Sequence, residues 1–203
     1  MAYGTAFTLG AGGTTDSTTP GATSSLKYNS GKVNDAQDYF NSLTAAEEDD
    51  RNQLATLISE DLILNPLNDA NLIQLNGTTK AVYNANSLTT SAGITLTLEG
   101  NDIDWLFNIT DMMTFGANTK IVLANSTTGS SVTWNLGGYA SLGAGAEMIG
   151  TILAGGYVTT GVDFKVTAAN KSSDTDTQSY CGGLFSATSY VTLGASATVT
   201  CAD

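Results

Sequence analysis

The sequence contains no histidine, and only seven of its 203 residues are Lys or Arg. Without histidine, the chain lacks the commonest general base and the commonest metal ligand. Against those seven basic residues stand 19 Asp and Glu, for a net charge of -12. That balance argues against a surface built for nucleic-acid phosphates or for anionic membranes, and the acidic surplus reads as a solubility feature. No run of 18 apolar residues occurs, so no segment reads as a membrane span. Met1-Ala2-Tyr3 opens neither a basic region nor an apolar core, so a secreted form would already have lost its signal peptide. The two cysteines, Cys181 and Cys201, are too few for a zinc site and lack redox-motif spacing. They are either two buried thiols or a disulfide. A separation close to one repeat would put them on neighbouring turns and favours the disulfide. Closing a loop of about 20 residues would contribute roughly 3 kcal/mol.

The residues that are present are small, hydroxylic and regularly placed. Charged residues make up 13% and hydrophobic ones 41%, which is not a disordered composition. One phrase recurs: Tyr139-Ala140-Ser141-Leu142-Gly143, Tyr157-Val158-Thr159-Thr160-Gly161 and Tyr190-Val191-Thr192-Leu193-Gly194. An earlier copy, Met112-Met113-Thr114-Phe115-Gly116, has Met in place of Tyr, and a fainter one lies around Ser87. The central residues Ser87, Thr114, Ser141, Thr159 and Thr192 are separated by 27, 27, 18 and 33 residues. A unit of five residues at such intervals reads as one strand per turn of a solenoid. The second and fourth residues of each copy point inward, and the first, third and fifth point outward. Stacked copies would then present a column of Tyr and Met, a column of Ser and Thr, and a column that is mostly Gly.

Taken in order, residues 1–31 read as a strand near 6–10 followed by turns. From residue 32 to about 58, Val33, Ala36, Phe40, Leu43, Leu54, Leu57 and Ile58 recur at helical spacing. This predicts a long amphipathic helix lying with its apolar face on the rest of the chain. Its acidic run, Glu47-Glu48-Asp49-Asp50, reads as a solvated turn. From residue 60 onward the pattern is strand and turn, with short strands at Leu62-Ile63-Leu64 and Leu72-Ile73-Gln74-Leu75. Ile121-Val122-Leu123 reads as a buried run, and Met148 to Ala154 as one alternating stretch. Ala168 to Tyr180 reads as an exposed polar loop. Three strand families with similar spacing predict a triangular parallel β-helix within a single domain, 1–203. If the N-terminal strand pairs beside the C-terminal coil, the solenoid is discontinuous; periodicity alone leaves this open.

Trp105-Leu106-Phe107-Asn108-Ile109, Lys120-Ile121-Val122-Leu123-Ala124, Val132-Thr133-Trp134-Asn135-Leu136 and Gly150-Thr151-Ile152-Leu153-Ala154 resemble consecutive phrases of the β-solenoid ice-binding (antifreeze) proteins. The resemblance spans nearly the whole chain and is densest from Val82 to Val199. It implies a right-handed, discontinuous parallel β-helix with one long α-helix packed alongside. It also implies secretion, ice or ordered water as the partner of a monomer, no cofactor and no catalysis. Carried onto this sequence, the ice-binding residues would be Ser87, Met112, Thr114, Gly116, Tyr139, Ser141, Gly143, Tyr157, Thr159, Gly161, Tyr190, Thr192 and Gly194. The Tyr column has no counterpart in the family pattern, and the short segment before the helix implies that a capping subdomain is missing.

Two other classes compete. Exposed tyrosines on a flat sheet also suit a carbohydrate-binding or adhesin module. An enzyme would need clustered carboxylates in a groove, and the nearest set, Asp102, Asp104 and Asp111, falls at or beside turns without a repeated acidic column.

Overall fold

The computed structural model describes residues 2–3, 6–9, 14–15, 54, 56–69, 72–75, 78–125, 130–169 and 182–200. Three seven-stranded sheets hold all of the strands among them. In spatial order, sheet one is β1 (Ala2–Tyr3), β19 (Gly183–Ser186), β16 (Thr151–Ala154), β13 (Ser131–Leu136), β10 (Ile103–Ile109), β7 (Thr78–Ala85) and β6 (Leu72–Leu75). Sheet two is β2 (Ala6–Leu9), β20 (Tyr190–Leu193), β17 (Val158–Thr160), β14 (Ala140–Leu142), β11 (Met113–Phe115), β8 (Leu88–Thr90) and β4 (Leu57–Ile58). Sheet three is β3 (Thr14–Thr15), β21 (Thr198–Val199), β18 (Lys165–Thr167), β15 (Glu147–Ile149), β12 (Lys120–Ala124), β9 (Thr95–Glu99) and β5 (Leu62–Leu64). The chain visits the sheets in rotation, one strand each per coil, and every pairing is parallel except β6 with β7. This is a three-sided parallel β-helix.

The solenoid is discontinuous. β1, β2 and β3 pair with β19, β20 and β21, so the first coil in sequence stacks on the last. At the other end, β4, β5 and the one-turn helix α1 (Pro66–Asp69) precede the antiparallel β6.

Burial follows strand alternation. Most inward positions are apolar and fully enclosed; Thr90 and Thr160 are buried polar exceptions. The interior is built around an aromatic column in register across three coils, Tyr83, Phe107 and Trp134. Phe107 and Trp134 stack at 4.2 Å, Tyr83 and Phe107 at 5.5 Å, and Phe115 meets Trp134 edge-on at 5.9 Å. The Trp134 indole N–H donates to the Ile149 carbonyl at 3.0 Å, so this large ring leaves no polar atom unmet.

Several sequence expectations are corrected. Leu57–Ile58 form β4 in sheet two and do not end a helix. Strand pairing prevails there over a helical spacing that the short segment also fits. Leu54 and Thr56 are not helical either: the Leu54 N–H donates to the Asn84 carbonyl at 2.9 Å, and the Thr56 carbonyl accepts from the Thr89 N–H at 2.8 Å. The earlier part of the expected helix, with its acidic run, lies outside the described residues, and among the described residues no long helix occurs. Val122 is 39% exposed, because Ile121-Val122-Leu123 alternates like the strands beside it. Met148 to Ala154 is not one strand. Gly150, at φ +89°, turns the chain from β15 in sheet three into β16 in sheet one. Cys181, Cys201 and most of the expected loop at 168–180 lie outside the described residues.

Candidate functional site

The outer faces of the three sheets differ in character. Sheet one carries Lys80 paired with Asp104 at 3.2 Å, and an asparagine ladder. In that ladder Asn135 donates to Asn108 at 3.1 Å, and Asn108 to Asn84 at 3.2 Å. Val82, Leu106 and Leu153 point out of this sheet yet are only 1%, 3% and 5% exposed, so its outer face is covered. Sheet three carries the surface ion pairs Lys120–Glu147 and Glu147–Lys165, at 3.6 and 3.7 Å. Among the described residues, sheet two alone holds no charged residue in any strand.

On sheet two the central outward row runs in register through Leu57, Thr89, Thr114, Ser141, Thr159 and Thr192, and Thr8 pairs with Thr192 at its end. The strands from β8 to β17 repeat a buried, partly buried, buried pattern, which leaves Thr89, Thr114, Ser141 and Thr159 facing out. Thr192 faces out in the same way on β20. Ser87 is not in this row. It precedes Leu88, which pairs with Met113, and so sits at the level of Met112; Thr89 takes the central place.

The flanking row contains Met112, Tyr139, Tyr157 and Tyr190. The tyrosine rings stack on one another, Tyr139 on Tyr157 at 4.7 Å and Tyr157 on Tyr190 at 5.6 Å, tilted by 16° and 11°. The Tyr139 hydroxyl donates to Met112 Sδ at 2.9 Å. Each ring thus braces the next: Tyr157 is stacked on both sides, while Tyr190, at the end of the stack, stays 43% exposed.

Burial first, then the charges that Tyr139 and Tyr190 would carry, hold the Tyr157 hydroxyl above its usual value near 10. The folded chain therefore keeps a proton that the unfolded chain releases. That stabilisation is fully present below the ordinary tyrosine value and is lost as pH rises through the raised folded one. Activity of this face and chemical stability should both stay flat from neutral pH to about 9, and fall above about 10. A titration that shows loss near neutrality would contradict the assignment.

The glycine column serves stacking. A Cβ on Gly143 would come within 2.5 Å of Ala117 N and Gly116 C, backbone atoms of the neighbouring coil. Gly116, Gly161 and Gly194 meet neighbouring backbone in the same way. Gly143→Ala should therefore cost about 1–3 kcal/mol, by forcing two coils apart; urea unfolding would measure it.

Each of these glycines opens a four-residue corner whose third residue is left-handed: Asn118, Gly145, Asp163 and Ser196, at φ 57° to 66°. After β8 the corner is Ser91-Ala92-Gly93-Ile94, with Gly93 at 74°. From Gly93 to Asp163, each left-handed N–H donates to a carbonyl of the next coil at 2.8 Å. This corner is the signal that fixes the register. The residue four before it is Thr89, Thr114, Ser141, Thr159 or Thr192. Counting back from Gly93 gives Thr89, where counting intervals between phrases gave Ser87.

Asp102 and Asp111 are exposed at turns, and Asp104 is tied to Lys80 and Ser131. Among the described residues, no group of three or more His, Cys, Asp or Glu is placed to hold a metal ion.

A parallel β-helix with one charge-free, in-register hydroxyl face is a scaffold for surface recognition. The chain belongs to the ice-binding-like family, whose model matches residues 2–200. No curated protein matches it.

Proposed function

We propose that this protein binds ice through the outer face of sheet two and thereby lowers the freezing point and inhibits recrystallisation. The observation that carries this reading, beside family membership, is the seven-strand row from Leu57 to Thr8 on the one sheet whose strands hold no charge. Its contacts are Thr89, Thr114, Ser141, Thr159 and Thr192, flanked by Met112, Tyr139, Tyr157 and Tyr190, with Ser87 at the edge. Gly116, Gly143, Gly161 and Gly194 set the coil spacing beneath them.

Ice offers only ordered water. Threonine hydroxyls hold water at the strand repeat of about 4.7–4.9 Å, while their methyls disfavour other hydration patterns. Apolar area removed from water at the contact contributes about 25 cal/mol per Å². Charged groups, which hold their own hydration shells, would oppose this, and the face has none. Adsorbed molecules force ice to grow in curved fronts between them. No covalent step and no cofactor are involved. The protein acts as a secreted monomer.

The coils are wound right-handed, the hand that strand twist selects for parallel crossovers.

The rival ligand is a carbohydrate. Sugars bind aromatic side chains through an open ring face. Here the Tyr157 ring is stacked on both sides, between Tyr139 and Tyr190, so the column is not a row of open ring faces, which favours ice. Freezing hysteresis and recrystallisation assays, run beside a glycan array, separate the two. Activity on ice without glycan binding is expected; glycan binding without activity on ice would reverse the choice.

A further inference from the structure

Four Asn-x-Ser/Thr sequons begin at Asn76, Asn108, Asn125 and Asn170. Asn76 and Asn170 lie outside the described residues. The other two stand in opposite environments. Asn108 is buried in the outer row of sheet one, with its amide donating to Asn84 and its carbonyl accepting from Asn135. A sugar on its nitrogen would need room that a residue only 6% exposed does not have. Asn125 is exposed, directly after β12, in a left-handed turn at φ 57°. Its amide donates to Glu99 Oε1 at 2.6 Å. A glycosylated amide keeps one N–H, so this bond survives modification.

The topology then says where such a sugar would point. Each coil passes from sheet one to sheet two to sheet three, and Asn125 sits where the chain leaves sheet three to return to sheet one. In a three-sided coil, that corner is the one opposite sheet two.

We propose that Asn125 is an N-glycosylation site, modified when the chain passes through a glycosylating secretory pathway, and that the glycan projects away from sheet two. In the transfer, Nδ2 bonds to the anomeric carbon of an oligosaccharide carried on a lipid diphosphate. The anomeric C–O bond breaks, the diphosphate leaves, and one amide proton is released. Occupancy of the site is independent of what sheet two binds; only the direction of the glycan draws on the ice-binding reading.

The test is secretion of the full chain from a yeast host, followed by peptide mapping after endoglycosidase release. Asn125 should be occupied and Asn108 bare in the folded, secreted protein. Thr127→Ala should remove the glycan without touching Asn125, and Thr127→Ser should retain it. Bare Asn125, or a glycan on Asn108 in folded material, overturns the site. Enzymatic trimming of the native glycan should leave freezing hysteresis unchanged; a change on trimming overturns the direction. If Thr159 variants show that sheet two does not bind ice, the occupancy result stands on its own.

Discussion

Replacing Thr159 with lysine should abolish most of the freezing hysteresis proposed for sheet two while the fold stays intact. Thr159 lies in the middle of the central row, between Ser141 and Thr192 in the register of sheet two. Its side chain faces out and supports no core contact, so the change in stability should fall within about 0.5 kcal/mol. The ammonium brings a tightly held hydration shell into the one sheet without charge. Its four-carbon stem also lifts ice off the neighbouring hydroxyls. Thr167→Lys, on the exposed side of β18 in sheet three, is the matched control and should leave activity intact. Nanolitre osmometry, with circular dichroism to verify the fold, decides the matter. If Thr159→Lys retains hysteresis, sheet two is not the binding face; equal loss in both variants would show that the effect is not local to it.

Trp134→Ala has the largest expected effect on stability, about 3–5 kcal/mol. Trp134 is fully buried, stacks on Phe107, takes the edge of Phe115 and donates to the Ile149 carbonyl. Removal opens a cavity across neighbouring coils and strips a carbonyl of its donor. Since domains are typically stable by about 5–15 kcal/mol, the loss would leave a marginal protein. Solenoid stability is close to a sum over neighbouring repeats, so β10, β13 and β16 should loosen first. Hydrogen exchange should show protection lost there before it is lost in β20 and β21. Uniform loss along the stack would mean that the aromatic column does not act locally.

Strand positions were legible because burial on one side imposes a period of two. Trp105, Phe107 and Ile109, and Val132, Trp134 and Leu136, point inward as their alternation requires. Coil register was harder to read. The coil of β8 has Ser91 where the later coils have Gly, so the phrase is masked, and the nearest match, Ser87, lies two residues early. The corner was the better marker, because left-handed backbone restricts side chains more than an exposed strand position does. Outward burial at Val82, Leu106 and Leu153 was invisible in the strands themselves, since it depends on what lies against them. The break at Gly150 was hidden because apolar residues alternate straight through it, and only backbone at positive φ shows the turn.

The pairing of the first coil with the last has a consequence for biosynthesis. β1, β2 and β3 are made first, but their partners end at Val199. At about 5–20 residues per second, the opening strands wait roughly 10–40 s for an edge to join. Coils from β7 onward can meanwhile stack in the order in which they emerge. β2 is therefore seated beside β20 only after the coils that lie between them in sequence have been made.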